Sequence, residues 1–263
     1  MKGVSAVNEP LLKITGLTKS FGGLIAVKDF SLNIHPGSLT GLIGPNGAGK
    51  TTVFNLITGM ISPSRGTILF QERNITGMKP FEIYRLGISR TFQNIRLFHN
   101  LSVLDNVRVA YHYRSRCGIF DSILRTGRFC KEEKEVTEKA RELLSILGLR
   151  LKEKELAKNL PYGEQRRLEI ARALVAEPKL LLLDEPAAGM NPAEVINLMD
   201  LIHLLRQRFD LTILLIEHQM KVVMSICEEV VVMDFGELIA QGKPVEVQND
   251  PRVIEAYLGK VPA

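Results

Sequence analysis

A run of nine residues in the first quarter of this sequence has the clearest chemical pattern. Its first eight residues read G-x-x-x-x-G-K-[ST], with a strand-like apolar stretch before the run and a helix-forming stretch after it. Its glycines let backbone N–H groups converge on phosphate oxygens, because no Cβ blocks the approach. The lysine would reach the outer phosphates of a nucleoside triphosphate, and the first threonine would offer its hydroxyl to Mg²⁺. The predicted nucleotide-binding residues are Gly44, Pro45, Asn46, Gly47, Ala48, Gly49, Lys50, Thr51 and Thr52.

Two carboxylates and a histidine could supply what this loop lacks for hydrolysis, a second Mg²⁺ anchor and a group that orients water. Asp184 ends a run of four leucines, the Walker B pattern, and is a predicted metal ligand together with Thr51. Glu185 follows directly and is the predicted catalytic base, while His218 ends the next apolar run and could donate to the terminal phosphate. The structural alternatives are a strand-end acid that caps a turn, a surface carboxylate and a structural histidine.

Alternating strands and helices must bring these residues together. Apolar runs at 38–43, 180–183 and 211–216 have the length of buried parallel strands. Parallel sheets bind their ligands at the carboxyl ends of the strands, which is where Asp184 and His218 lie. The stretch between the last two runs is amphipathic, and its predicted buried side chains include Ile196, Met199, Leu204 and Leu205. We therefore predict an α/β fold with a parallel sheet and right-handed crossovers.

The first and middle parts of the chain have a different character from this core. Strand patterns at 11–17, 24–34 and 66–70 precede a mainly helical stretch, in which a helix at 135–147 has Gly148 as its stop signal. The helix has predicted buried positions at Val136, Ala140, Leu143, Leu144 and Leu147. We interpret the helical stretch as an insertion in the α/β core.

Composition and charge narrow the class of protein further. The 263 residues are 45% apolar and 24% charged, with a formal net charge of +5, which is typical of a soluble chain with a substantial core. We expect a reducing compartment from the cysteines, and neither a secretory signal nor a membrane span. A basic stretch between His112 and Lys131 is a solvated loop or a functional patch, and no nucleic-acid-binding motif accompanies it. The cysteines are Cys117, Cys130 and Cys227. The basic stretch contains Arg114, Arg116, Arg125, Arg128 and Lys131, with a single acidic residue, Asp121.

The order of these motifs resembles the nucleotide-binding subunit of an ABC transporter, from about residue 11 to residue 258. The motif that separates this family from other P-loop proteins is its signature, which corresponds here to Leu160, Pro161, Tyr162, Gly163, Glu164 and Gln165. The resemblance implies a P-loop NTPase with a RecA-like parallel core sheet, an N-terminal antiparallel β subdomain and an inserted helical subdomain. Within one nucleotide-binding domain, 1–263, the implied boundaries are 1–95 and 166–263 for the core with the β subdomain, and 96–165 for the helical and signature subdomain.

The resemblance also implies roles for residues that chemistry alone would not single out. Two such subunits clamp two ATP molecules head-to-tail, so that each P-loop faces the signature of its partner. Phe21 matches an aromatic that stacks on adenine, with a core phenylalanine as the alternative. Gln93 matches the Q-loop glutamine, which reaches Mg²⁺ and the attacking water while its loop touches the permease. The cofactors implied are ATP and Mg²⁺.

Within the family, several segments are similar to one ATPase subunit of the branched-chain amino acid importers. They are residues 90–98, the Tyr162–Gly163 signature, residues 187–192, the basic insertion and the ending 253–259. The implied partners are membrane permease subunits, a second ATPase subunit and, indirectly, a periplasmic solute-binding protein, at the cytoplasmic face of a bacterial inner membrane. The open alternatives are urea, amide or lipopolysaccharide transport, a non-transport ABC protein and a P-loop kinase.

Two residues depart from the family pattern. The signature serine, which would bind the γ-phosphate of the partner's ATP, is Pro161, a residue with neither a hydroxyl nor an N–H to donate. The D-loop acid is Asn191, and with Pro192 it also predicts a helix start, with Asn191 as N-cap and proline at the first position. Pro161 is likewise expected at the first position of its helix. A weakened signature beside complete Walker residues favours a heterodimer, with a homodimer as the alternative.

Overall fold

The structure is a computed structural model. It describes residues 9–111, 121, 124 and 126–258. The chain forms two compact units, one made of the described parts of Met1–Ile83 and His203–Ala263, the other of the described part of Tyr84–Ile202. The nucleotide loop therefore belongs to the first unit, and the predicted carboxylates and the signature belong to the second.

An antiparallel sheet of four strands occupies the N-terminal part of the first unit. Its strands, in the order β2-β1-β4-β5, are β1 (Leu12–Phe21), β2 (Leu24–Ile34), β4 (Arg65–Phe70) and β5 (Arg73–Asn74). Buried and exposed side chains alternate along much of β1 and β2, as in a sheet with one face on a core. This confirms the predicted antiparallel β subdomain.

A second group of strands in the first unit carries the nucleotide loop. They are β3 (Leu39–Ile43), β8 (Thr212–Ile216), β9 (Glu229–Asp234) and β10 (Glu237–Gly242), in the order β10-β9-β3-β8. β3 runs parallel to β8 and β9, while β10 is antiparallel to β9. Every residue of β3 and β8 is buried, which explains their continuous apolar sequences. The helices of this unit are α1 (Lys50–Ile57), α7 (Met220–Ile226), α8 (Pro244–Gln248) and α9 (Pro251–Leu258).

The second unit combines a parallel strand pair with a helical cluster. The strands are β6 (Ile88–Arg90) and β7 (Leu180–Asp184). The helices α3 (Val103–Tyr111), α4 (Gly127–Ile146) and α5 (Tyr162–Leu174) pack against one another, with 3₁₀ turns at Arg150–Lys152 and Ala157–Asn159. The boundary between the units falls within α2 (Pro80–Leu86) and α6 (Pro192–Phe209).

The helical insertion behaves as its sequence pattern predicts. The predicted apolar side chains of α4, together with Leu147, are buried, and Gly148 ends the segment with a φ of 71°. The helix begins earlier than predicted, because Thr126 is its N-cap and accepts a hydrogen bond from the Phe129 N–H.

The prediction for α6 is partly wrong. Met199 and Leu205 are buried, but Ile196 is 63% exposed and Leu204 is 49% exposed. The residues that the helix buries are Val195, Leu198, Met199, Ile202 and Leu205. Each residue advances by about 100° around an α-helix, so the buried stripe through these positions leaves Ile196 and Leu204 beyond its edge. Apolar character alone did not reveal that phase.

Several other expectations concern the basic stretch, the cysteines and a membrane span. Of the basic stretch, Arg128 and Lys131 lie on α4, while Arg114, Arg116 and Arg125 lie outside the described residues, as does Cys117. Cys130 is exposed and Cys227 is buried. Within the described ranges, no helix is both long enough and apolar enough to cross a membrane.

Two left-handed glycines in the first unit provide a test of this packing. Gly59 and Gly77 have φ values of +68° and +71°, but a Cβ on Gly59 would lie 2.2 Å from the Met78 carbonyl oxygen, whereas one on Gly77 meets nothing within 4 Å. We expect Gly77→Ala to lower the free energy of unfolding by about 1–2 kcal/mol, the cost of the left-handed conformation. Gly59→Ala should lower it by about 2–5 kcal/mol, because backbone must also move. Urea unfolding measures both, and equal losses would contradict the packing around Gly59.

Candidate nucleotide site

The nucleotide loop has a conformation that requires glycine at two of its positions. It begins after β3 and ends at α1, with φ values of 149° at Gly44 and 101° at Gly49. A Cβ on Gly44 would lie 2.1 Å from the Met233 carbonyl oxygen, and one on Gly49 would lie 2.5 Å from the Ala26 carbonyl oxygen. Both clashes are with backbone, so larger residues cannot be accommodated by a side-chain movement. The close packing therefore fixes the loop path that the sequence pattern predicted.

The loop also places a positive charge where phosphates would bind. Lys50 is 6% exposed, and its Nζ donates to the carbonyl oxygens of Gly44 at 2.7 Å and Pro45 at 2.9 Å. α1 has no side-chain N-cap bond and no acidic residue in its first turn, which suits its N–H groups to an anion. Thr51 is exposed and Thr52 half-buried at this helix start, and both lie beside the lysine in sequence. The arrangement has the donors of a polyphosphate site.

His218 lies at the same sheet edge as the loop. β3 and β8 are parallel neighbours, with Leu42 opposite Ile216 in the register. Gly44 and His218 each follow a paired position by two residues, so both emerge at the carboxyl ends of adjacent strands. His218 is exposed, and its backbone N–H donates to Oε2 of the buried Glu217 at 3.2 Å. Its contact with a phosphate stays a prediction.

Phe21 is not a core residue, so the structural alternative for it is wrong. It ends β1, its side chain is 48% exposed, and the Lys19 Nζ lies 5.0 Å from its ring centroid. An exposed aromatic with a cation beside it offers a flat surface on which a base can stack. Stacking on adenine stays a prediction.

In the second unit, Asp184 is held by an ion pair that the sequence did not predict. Asp184 ends β7 with 2% of its surface exposed, and Arg90 NH2 donates to its Oδ2 at 2.7 Å. The Arg90 side chain is itself only 5% exposed. Thr91 accepts a hydrogen bond from the Asp184 backbone N–H at 3.3 Å. The buried carboxylate is therefore oriented by the end of the neighbouring strand β6.

The structure brings together two residues predicted to act on water. Gln93 Nε2 donates to Glu185 Oε2 at 2.9 Å. Glu185 has a φ of 46°, an uncommon conformation for a residue other than glycine, so the chain turns away from the extended path of β7 at this point. Glu185 is half-buried and bonded to Gln93, which distinguishes it from an ordinary surface carboxylate.

The signature residues surround the start of α5. Pro161 is the N-cap of this helix and not, as expected, its first residue, because its ψ of 155° is not helical. Its carbonyl oxygen accepts from Glu164 N at 3.0 Å and Gln165 N at 2.9 Å. Gln165 Nε2 donates to the Leu160 carbonyl oxygen, and Glu164 pairs with Lys152 at 2.7 Å. The remaining signature residues differ in exposure: Leu160 is buried, Gly163 is half-buried, and Pro161 and Tyr162 are exposed.

Asn191 starts α6 as predicted. Its Oδ1 accepts from Glu194 N at 3.0 Å, while Glu194 Oε2 accepts from Asn191 N at 3.0 Å. This reciprocal pair is a capping box, and Pro192 follows as the first helical residue. The predicted helix start is confirmed, and the D-loop role of Asn191 stays a prediction.

Sequence reasoning missed four side chains near these predicted residues. Besides Arg90, they are Arg166 and Glu169 on α5 and Tyr257 on α9. Burial raises the pKa of Glu169, and the charge of Arg166 opposes that rise. Burial also raises the pKa of the Tyr257 hydroxyl, partly offset by the nearby Gly44 N–H. An arginine at the end of a strand or inside an apolar helix face is the only sequence signal that could have indicated the two arginines.

The Arg90–Asp184 pair gives a prediction about stability. Arg90→Met should lower the free energy of unfolding by about 3–5 kcal/mol, since it leaves a buried carboxylate without its counter-charge. As a control, Lys28→Met removes the exposed pair with Glu237, in which the side chains are 60% and 51% exposed, and should change little. Chemical denaturation of both variants measures the difference. Similar stabilities for the two variants would show that Arg90 is not needed to compensate Asp184.

Comparisons with known proteins agree with this geometry. Residues 27–188 match the family described as ABC transporter, and residues 237–262 match the family described as branched-chain amino acid ATP-binding cassette transporter. The high-affinity branched-chain amino acid transport ATP-binding protein LivG of Escherichia coli strain K12 is 46% identical, over 97% of this chain and 100% of LivG. The lipopolysaccharide export system ATP-binding protein LptB of Acidithiobacillus ferridurans is 36% identical, over 95% of this chain and 97% of LptB.

A solved structure has the same fold. The crystal structure of MJ1267, an ATP-binding cassette of an ABC transporter in its ADP conformation, superposes with a TM-score of 0.83 at 32% identity. The superposition covers 95% of this chain and 99% of the MJ1267 chain. The chain therefore belongs to the ABC transporter family as an ATP-hydrolysing subunit, with that family's antiparallel β subdomain and mixed, mainly parallel core sheet.

Proposed function

We propose that this chain is the ATPase subunit that drives the import of branched-chain amino acids. The observation that carries the proposal is the match of residues 237–262 to the branched-chain amino acid family, in a segment that forms β10, α8 and α9. LivG, whose name states this transport activity, is also more similar to the chain than the lipopolysaccharide exporter LptB is. Export of lipopolysaccharide and import of urea or amides are the alternatives that an experiment must exclude.

The proposed partners are those of an importer. A second ATPase subunit closes over the nucleotide, and permease subunits receive the resulting movement at the cytoplasmic face of a bacterial inner membrane. A periplasmic solute-binding protein delivers the amino acid to the permease and acts on this chain only indirectly. Pro161 and Tyr162 are exposed at the start of α5, so this end of the signature is accessible to the ATP of a second subunit.

We propose ATP and Mg²⁺ as the ligands of this chain. The loop offers the Lys50 ammonium and the N–H groups of α1 to the phosphates, and Phe21 offers an exposed ring to the adenine. For Mg²⁺ we propose the Thr51 hydroxyl, the Asp184 carboxylate and the Gln93 amide, because hard oxygen ligands suit this ion. Bound Mg²⁺ would neutralise charge on the phosphate oxygens. Lys50 would exchange its present carbonyl partners for phosphate oxygens.

Hydrolysis would then depend on the pair formed by Gln93 and Glu185. Glu185 accepts a proton from the attacking water at its carboxylate, and Gln93 keeps that carboxylate oriented through the bond from Nε2 to Oε2. His218 donates to the terminal phosphate from the sheet edge that it shares with the loop. Closure of the second subunit excludes water other than the nucleophile, and release of phosphate reopens the site.

Transport in a reconstituted system tests the proposal. The chain is co-purified with its permease, reconstituted in vesicles and supplied with ATP, and uptake of leucine, isoleucine and valine is compared with uptake of urea. We expect ATP-dependent uptake of the three amino acids and none of urea, and a preparation carrying Glu185→Gln should be inactive. Stimulation by urea or by lipopolysaccharide alone would overturn the solute assignment, although ATP hydrolysis would persist.

The proline in the signature predicts that two ATP sites of a heterodimer are unequal. The site built on this chain's own loop has complete Walker residues, whereas the site that receives its signature lacks the serine hydroxyl. Glu185→Gln in the assembled complex should therefore lower ATP hydrolysis by about a hundredfold. The matching substitution in the partner should cost much less, and steady-state phosphate release measures both. Equal losses would contradict the asymmetry.

A further inference from the structure

A buried ion pair on α5 begins at the residue that directly follows the signature. Arg166 is 0% exposed, and its NH1 donates to Glu169 Oε2 at 2.8 Å, with Glu169 only 4% exposed. Among the residues that the structure describes, Arg166 is the largest with a fully buried side chain. The hydrolysis scheme proposed above assigns no role to either residue.

Both members of the pair also form hydrogen bonds with the backbone of the Gln93 segment. Arg166 donates from NH1 to the Phe92 carbonyl oxygen at 2.6 Å and from NH2 to the Gln93 carbonyl oxygen at 2.9 Å. Glu169 Oε1 accepts from Phe92 N at 3.2 Å and from Arg96 N at 3.3 Å. One ion pair thus holds backbone groups on both sides of Gln93.

The segment and the ion pair need each other. Residues 91–98 form no helix or strand, so no regular backbone ladder holds Gln93 in place. Conversely, a buried pair of charges is stabilised by further hydrogen bonds, and the segment provides four of them. The Phe92 ring adds contacts with two further cations, with the guanidinium carbons of Arg90 at 5.0 Å and Arg96 at 4.0 Å from its centroid.

We propose that Arg166 and Glu169 are positioning residues that fasten the Gln93 segment to the signature helix and so hold the Gln93 amide against Glu185. The inference rests on the proposed roles of Gln93 and Glu185 in hydrolysis. It follows that a displacement of α5, such as closure onto a second subunit would cause, moves Gln93 with it. The signature and the glutamine therefore respond to ATP as one body within this unit.

The decisive variant removes both charges together. Arg166→Met with Glu169→Leu replaces the pair by apolar side chains, a change that buried ion pairs often tolerate in stability. We expect kcat for ATP hydrolysis to fall by about ten- to a hundredfold, because Gln93 loses its fixed position. KM for ATP should stay within about twofold, since the loop that holds the phosphates is untouched. ATP hydrolysis is measured on the full chain with the subunits that co-purify with it.

A matched control separates positioning from general packing. Glu138 and Arg141 form a pair at the same helical spacing on α4, 2.9 Å apart, with side chains 73% and 34% exposed. Arg141 also contacts Glu153 at 3.2 Å. Glu138→Leu with Arg141→Met should leave kcat unchanged. An equal loss of kcat in this control, or no loss in the Arg166 and Glu169 variant, would overturn the proposal.

A double-mutant cycle tests whether the pair acts through Gln93. In a Gln93→Ala background, removing Arg166 and Glu169 should cost no further kcat, because the group that they position is already gone. Independent, multiplying losses would overturn the proposal. If the charge-free variant does not fold, Glu169→Gln decides, since its amide oxygen still accepts from the segment. It should retain part of kcat, and full activity would contradict the role of the charge. The solute plays no part in these assays, so they remain readable if uptake of amino acids fails.

Discussion

Asp184 carries its carboxylate into the interior at the end of β7, and the ion pair with Arg90 compensates that charge. A lone buried carboxylate would be too costly, so the end of β6 has to supply a cation at this point. Arg90 in turn places Thr91 against the Asp184 backbone and leads directly into the segment that contains Gln93. The position of the glutamine thus begins with the need to neutralise one buried acid.

The same logic continues along the segment. Gln93 lies in irregular chain, yet it meets Glu185 at 2.9 Å, because Arg166 and Glu169 satisfy the backbone around it. In the first unit, backbone packing does the equivalent work, since close approaches at Gly44 and Gly49 fix the nucleotide loop. Irregular chain is thus held in place in both units. Buried charge holds the Gln93 segment, and close backbone packing at glycines holds the nucleotide loop.

Local patterns made much of this predictable. Continuous apolar runs identified β7 and β8, glycine spacing identified the loop, and Asn191 with Pro192 identified the start of α6. Predictions failed where the answer lay in distant contacts. Arg166 and Phe92 are 74 residues apart in sequence, so no local pattern couples them. Ile196 and Leu204 were misplaced because apolar residues outnumber the positions that α6 can bury, and only packing sets the phase of the helix.

The most direct test of the account is a crystal structure of the chain with Mg²⁺ and a non-hydrolysable ATP analogue. We expect Lys50 Nζ to leave the Gly44 and Pro45 carbonyl oxygens for phosphate oxygens, with the Thr51 hydroxyl at the metal. Arg166 should keep both of its carbonyl partners in the Gln93 segment. Phosphates bound away from the loop, or Gln93 still beside Glu185 after Arg166 has released the segment, would contradict it.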